Sequence, residues 1–334
     1  MTLRLFGVLA LALAFPTLAL AVPRPPAPRL HPRDAMAQPT YVQKILPSIV
    51  GLKVRADEEA PSSVRLGAER FASGVIFDDR GYVLTVSYAL LDARPVHAMT
   101  RDNRVVPARI VGIDYETGLG VVKLPDESWP AATLGHSRDV RPGDATGTVG
   151  VDDDNDPVYV SSTVHAISRF SAFWEYMLDR ALFVEPSSSA WGGSAVVDAR
   201  GAVVGLASLR IGESPHVNVA IPIEKFVAVK DELIAVGRVM SRPPRPWLGL
   251  YTAAVRSGVI VDGFAATGPA RTAGFQKGDQ IVGVNGVPVG SQEEFYEQLW
   301  RGRAGDVVRV SVRRDDRVRV IPVRSVERGA ASRR

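Results

Sequence analysis

Short apolar runs bounded by turn residues fill the first two thirds of this chain, the pattern of paired strands rather than of helices. Residues 72–77 and 82–85, separated by Asp79-Arg80-Gly81, read as one hairpin, and residues 195–197 and 203–207, joined by the turn at 198–201, as another. Residues 158–168 alternate as a strand does, and 217–223 read as a strand followed by an amphipathic helix over 224–236. At the start, residues 40–54 suggest a short helix, a break at Pro47 and an apolar strand, whereas 57–68 are polar and loop-like. The aromatic stretch 170–183, with Phe173, Trp174, Tyr176 and Leu182, suits a short helix or a packed loop, serving the core or a partner.

After the stiff segment Arg242-Pro243-Pro244-Arg245-Pro246 the pattern changes. Trp247-Leu248-Gly249-Leu250 is short, apolar and glycine-containing, Asn285-Gly286 marks a tight hairpin, and residues 292–301 have helical spacing, with Phe295 and Leu299 on one face.

Composition narrows the class. A length of 334 residues allows two domains, and 46% hydrophobic with 23% charged residues is that of a folded chain with a sizeable core, not a disordered one. The 40 Lys and Arg against 36 Asp and Glu are mostly scattered, which does not point to nucleic acid. There is no cysteine, so no disulfide framework and no thiol chemistry. Arg4, the apolar run 5–14 and Ala19-Leu20-Ala21 read as a secretory signal over 1–21, cut after Ala21, followed by a Pro-rich tether over 22–39. No later segment is long and apolar enough to span a bilayer, so the expected destination is outside the cytoplasm, the periplasm for a Gram-negative host.

The stretch Ser187-Ser188-Ser189-Ala190-Trp191-Gly192-Gly193-Ser194-Ala195 resembles the nucleophile loop G-N-S-G-G-P of the HtrA/Deg family of trypsin-like serine proteases. The hairpin from Ala72 to Thr85 resembles the family's G-S-G-F-I-I-x-x-x-G-Y-I-L-T, and Arg109 to Leu124 its V-G-x-D-x-x-x-D-L-A-V-L-K. The segment from Trp247 onward is similar to the PDZ domain that follows in that family. The resemblance implies an all-β fold, a chymotrypsin-like double β-barrel over 40–237, a linker at 238–246 and a small α+β PDZ domain over 247–325. It also implies a trimer.

Carried over residue by residue, it puts Tyr88 where the family has its histidine, Gly118 at the aspartate and Trp191 at the serine. An indole has no nucleophilic atom, and a phenol titrating near pH 10 is no base at neutral pH. The expectation is therefore a degenerate triad, no enzyme, and a pseudoprotease that binds peptides or protein C-termini as scaffold, regulator or chaperone-like factor. The alternative is a serine endopeptidase using displaced residues, drawn from Ser187, Ser188, Ser189 and Ser194 with a histidine among His31, His97, His136, His165 and His216. The PDZ resemblance assigns peptide binding to Trp247, Leu248, Gly249, Leu250, Phe295 and Leu299, the loop offering backbone N–H groups to a terminal carboxylate. No cofactor is expected. Asp152, Asp154 and Asp156 have the alternation of a calcium loop, but Pro157 and Thr163 stand where it needs glycine and glutamate, so no metal is expected either.

Overall fold

The computed structural model describes residues 39–329. The expected signal sequence and the expected tether up to residue 38 lie outside the described residues. Six antiparallel strands close the first barrel: β1 (Ile49–Ala56), β2 (Glu69–Asp78), β3 (Tyr82–Val86), β4 (Ala93–Met99), β5 (Val105–Asp114) and β6 (Leu119–Lys123), in the order β1-β2-β3-β6-β5-β4. Closure comes from β1, which pairs with β2 along one edge, Ile49↔Val75 to Arg55↔Glu69, and with β4 along the other. Its residues Val50, Leu52 and Val54 fill the barrel with Ile76, Val83 and Val122, while Ile49 points the other way into a second cluster with Val75, Leu84 and Leu119. A strand buried on both faces needs consecutive apolar residues, which is why this stretch reads as a run rather than an alternation.

Strands β7 (Ala145–Val151), β8 (Pro157–Ala172), β9 (Tyr176–Glu185), β10 (Ala195–Asp198), β11 (Val203–Ile211) and β12 (Val217–Pro222) close the second barrel. Its interior holds Val164, Leu182, Val184, Val196 and Ala220, and its other face shares the cluster between the barrels through Val149, Val197 and Leu206, joined by Phe226 of the helix after β12. The third sheet runs β13 (Leu250–Val255), β14 (Gly258–Phe264), β15 (Gln280–Val284), β17 (Val307–Arg314), β18 (Arg317–Arg324), with the short β16 (Val287–Pro288) on β15. A helix over Gln292–Leu299 covers it, capped by Ser291, whose hydroxyl accepts from the Glu294 N–H. Phe295 and Leu299 bury against Val259, Val261, Val310 and Val312. The mostly β fold expected, a double barrel and a smaller α+β domain, is the fold found.

Three local readings are corrected. Residues 57–68 contain a helical turn, Ser63–Leu66, stopped by Gly67 at φ 76°. The helix expected over 224–236 is two, Ile223–Val227 and Lys230–Val236, parted where Val229 leaves helical dihedrals at φ −127°, ψ 0°. The aromatic stretch 170–183 is neither helix nor loop. It is the end of a long hairpin, with Phe170↔Leu178 and Ala172↔Tyr176 paired across β8 and β9 and only residues 173–175 at the tip. Pairing across the hairpin sends its aromatics to both faces, so their density carried no strand period.

Candidate functional site

Two places were marked by the sequence. The first is where the turn after β3 meets the loop before β10. Tyr88 sits on the 3₁₀ turn Ser87–Leu90, is half-buried, and donates its hydroxyl to the Ser208 carbonyl at 2.9 Å. Burial pushes its phenol further above the ordinary value, so it remains a donor at neutral pH. The Gly118 carbonyl accepts from Ser87 N–H at 2.8 Å, and the Tyr88 ring lies 6.3 Å from that of Trp191. A Cβ on Gly192 would lie 3.0 Å from the Tyr88 hydroxyl. Tyr88 thus stands beside Trp191 and Gly192, and residue 118 is bonded to the turn that carries Tyr88. Gly193 shows why the loop needs glycine: φ is 84° and a Cβ would come within 2.0 Å of the Ser73 carbonyl.

The neighbouring serines are mostly engaged. Ser187 Oγ accepts from Arg210 Nε at 3.1 Å, buried Ser188 Oγ accepts from Ala190 N–H at 3.2 Å, and buried Ser194 Oγ donates to the Ala190 carbonyl beside Ser73. Ser189 is exposed. His165 Nδ1 pairs with Glu185 at 2.8 Å and His216 Nδ1 with the Gly212 carbonyl at 2.7 Å. Among the described residues, no hydrogen bond joins an imidazole to any of the four serines. Asp114 is buried at a turn, holding Thr117 Oγ1 at 2.6 Å and pairing with Arg242 of the linker, a role its spacing alone did not disclose. Asp152 is also a turn residue, its carboxylate accepting from the N–H groups of Asp154 and Asp156.

The second place is the loop that opens the third sheet. Trp247 is held in an antiparallel bridge with Val326 at 2.9 and 3.1 Å. The Leu248 and Gly249 carbonyls turn inward, to Ala270 and Ala265 N–H, so the Leu248 and Leu250 N–H groups face out of the domain. Gly249 makes this possible at φ 77°, with Gly268 Cα 2.5 Å from where a Cβ would stand. Both N–H groups end on one carboxylate: Leu248 donates to Glu175 Oε2 at 3.0 Å and Leu250 to Glu175 Oε1 at 2.7 Å. Glu175 lies at the tip of the β8–β9 hairpin and is buried. Burial pushes its carboxyl up to about 7, against the pull of those N–H groups and of Arg328.

The tip is held at three further points. Thr252 N–H donates to the Phe173 carbonyl at 2.9 Å, the Tyr296 hydroxyl donates to the Ala172 carbonyl at 2.6 Å, and Glu175 N–H reaches the Tyr296 oxygen at 3.2 Å. Gln292 Nε2 donates to Thr252 Oγ1 at 2.8 Å. Of the six residues marked for peptide binding, Leu248, Leu250, Phe295 and Leu299 bury their side chains in the core, and the groove is lined by the backbone of 248–250. Thr252 and Tyr296, which hold the hairpin tip, and Gln292, which holds Thr252, were not marked. Gln292 and Tyr296 are four apart, the same helical spacing as Phe295 and Leu299 one stripe over, and that spacing was the available signal.

Residues 72–206 match the trypsin-like peptidase domain family and residues 246–324 the PDZ domain family. The serine endoprotease DegS of Salmonella typhimurium is 28% identical over 301 residues, covering 83% of this chain and 82% of DegS, and DegS of Escherichia coli K12 is 28% identical over 300 residues. A probable periplasmic serine endoprotease, DegP-like, of Pseudomonas fluorescens is 26% identical over 74% of this chain and 54% of its own length. Among solved structures, the HtrA-type protease AlgW with a decapeptide superposes with a TM-score of 0.54 at 22% identity over 86% of this chain and 98% of AlgW, and the serine endoprotease of Yersinia pestis with 0.54 at 24% identity over 86% and 97%. The chain thus has a stretch that matches trypsin-like peptidase domains followed by one that matches PDZ domains, and over most of its length it is similar to DegS. This corrects the expectation that it is no enzyme: relatives aligned over more than four fifths of both chains are serine endoproteases, and they point to a protease.

Proposed function

We propose that this chain is a DegS-like protein of the serine endoprotease class that works in the periplasm and takes up extended peptides by their C-terminal carboxylates through its PDZ domain. One observation supports the peptide-binding part above the rest: the loop 247–250 aims two backbone N–H groups at a single carboxylate, at 3.0 and 2.7 Å. That is the chemistry by which an added strand is anchored at its end. Hydrolysis, in this reading, is run from a serine other than the residue at 191, because an indole offers only an N–H donor. Ser189, exposed and two residues away, is the first choice and Ser194 the second.

A second reading gives the barrels a scaffold or regulatory part around the captured peptide, and the placement of Tyr88 beside Trp191 favours it. Full-length protein incubated with casein and a fluorophosphonate probe separates the two. Cleavage and labelling that vanish in Ser189→Ala or Ser194→Ala support the endopeptidase; intact casein and an unlabelled chain remove it and leave the scaffold. A fluorescent peptide with a free C-terminus is expected to bind and its C-terminal amide not to; equal binding of both would sink the carboxylate reading. Light scattering tests the trimer implied by resemblance.

A further inference from the structure

We infer that the PDZ groove is closed from within, the tip of the β8–β9 hairpin lying in it as a built-in ligand whose Glu175 side chain takes the seat of a peptide's terminal carboxylate. This rests on the peptide-binding reading above. A peptide then enters only by displacing residues 172–175.

The register carries the argument. An added strand bonds to its neighbour at every second residue. Here the carboxylate of residue 175 meets the N–H of Leu250, and the carbonyl two residues earlier, at Phe173, meets the N–H two residues later, at Thr252. The step is two on each side, as it would be for an incoming chain ending at the position of residue 175. Glu175 has φ 55°, a left-handed backbone that a glutamate seldom adopts, and it folds the side chain back onto the loop. Tyr296 fastens the tip from the helix side, through the Ala172 carbonyl and the Glu175 N–H.

The tip also states a preference. The Phe173 ring meets Tyr251 edge-on at 5.5 Å, and the Arg65 guanidinium lies 4.1 Å from the Tyr251 centroid and 5.2 Å from that of Phe173. The probe copies this tip, placing Phe and Trp at the two positions before a free carboxylate, as Phe173 and Trp174 precede Glu175.

Two variants isolate the carboxylate. Glu175→Gly suits the left-handed backbone, and Glu175→Asn tolerates it while being too short to reach the loop. The probe is a fluorescein-labelled decapeptide ending in Phe-Trp-Val with a free carboxylate, titrated by fluorescence polarisation into the full-length chain. Both variants are expected to bind it about tenfold or more tighter than wild type, the factor by which an occupied groove lowers apparent affinity. Hydrogen exchange without peptide is expected to quicken at the amides of 248, 250 and 252, with circular dichroism and melting of the barrels retained. Unchanged exchange and equal affinity in wild type and both variants would overturn the inference while the peptide-binding reading stood. Quickened exchange with no binding by any chain would show an interdomain clasp only, removing the built-in ligand and the peptide reading together.

Discussion

Raising the pH should loosen the hairpin tip, and the size of the effect follows from where Glu175 sits. Released into water, its carboxyl has an ordinary value of 4.5, and docked it is pushed up to about 7, chiefly by burial. The docked state therefore binds an extra proton between those values, so docking is favoured in full below about 4.5 and that contribution is lost as the pH rises through about 7. Two and a half pH units at about 1.4 kcal/mol each come to about 3 kcal/mol, on the order of a hundredfold in the docking equilibrium. The groups acting on Glu175 are Tyr296 on the helix and Arg328 after β18, with Tyr176, Tyr251 and Tyr115 around Arg328, and the cavity beside it also holds Asp114, Glu116, Arg238, Arg242, Arg245 and Glu327. Burial raises the Tyr176 and Tyr296 phenols, which stay neutral in this range, and burial also raises Glu116 against Arg245 and Arg242. Because Glu116 is shifted in the same direction, the control is Glu175→Gln, which keeps Glu116. Hydrogen exchange at residues 248–252, corrected for intrinsic rates, should lose protection from pH 5 to pH 8 in wild type and stay flatter in the variant. Parallel curves would refute the argument, because the proton would then belong to another group.

Asp279 behaves in the opposite sense. Burial raises its carboxyl, but Arg314 at 2.6 and 2.7 Å and the Gln276 N–H at 2.8 Å more than offset this and hold it below the usual range, so its contribution is lost as pH falls through that lowered value. Asp279→Asn should cost about 3 kcal/mol, read from chemical denaturation at pH 7 and shrinking towards acid. Gly249→Val, at φ 77° with Gly268 Cα 2.5 Å from the new Cβ, should abolish binding of the free-carboxylate peptide in polarisation assays and lower the melting temperature. Phe226→Ala, emptying a fully buried site between the barrels, should cost about 3–5 kcal/mol in the same denaturation assay. Gly118→Ala, at φ 80° with the Tyr176 hydroxyl 3.1 Å from the new Cβ, should cost about 1–2 kcal/mol and quicken exchange at residues 248–252; unchanged exchange there would disconnect residue 118 from the groove.

The barrels were legible because their strands obey local rules. The turn at Asp198, whose carboxylate accepts from the N–H groups of Arg200 and Ala202, and the Asn285-Gly286 turn at φ 51° and 84° are visible as residue types. The roles of Tyr88, Gly118 and Trp191 rest on family resemblance; the structure sets the Tyr88 ring 6.3 Å from that of Trp191 and the Gly118 carbonyl on the Ser87 N–H. The groove was legible only as backbone. What the loop 247–250 binds depends on a glutamate 73 residues before Leu248, and no local pattern links them. The hairpin end failed for a related reason. Tyr176 faces the barrel and Phe173 faces Tyr251, so one run of aromatics serves two surfaces and shows neither period.

Those same aromatics join the two candidate sites. The Tyr176 hydroxyl donates to the Thr117 carbonyl at 2.8 Å, its ring stacks on Trp174 at 5.7 Å, and the backbone of residue 118 packs against it. Residue 118 in turn receives Ser87 N–H, one residue before Tyr88. The line from the Leu250 N–H through Glu175 and Tyr176 to residue 118 and the turn bearing Tyr88 is thus unbroken packing. Packing alone transmits nothing unless an element along it has two arrangements. The hairpin tip is that element if Glu175 can be displaced, since Tyr176 is its immediate neighbour and cannot hold its stacking on Trp174 while residues 173–175 leave the groove. A side chain larger than glycine at 118 presses on Tyr176 from the barrel side, and a peptide that displaced residue 175 would act on it from the other. Both act on one short stretch of chain, so a change at either end should be felt at the other.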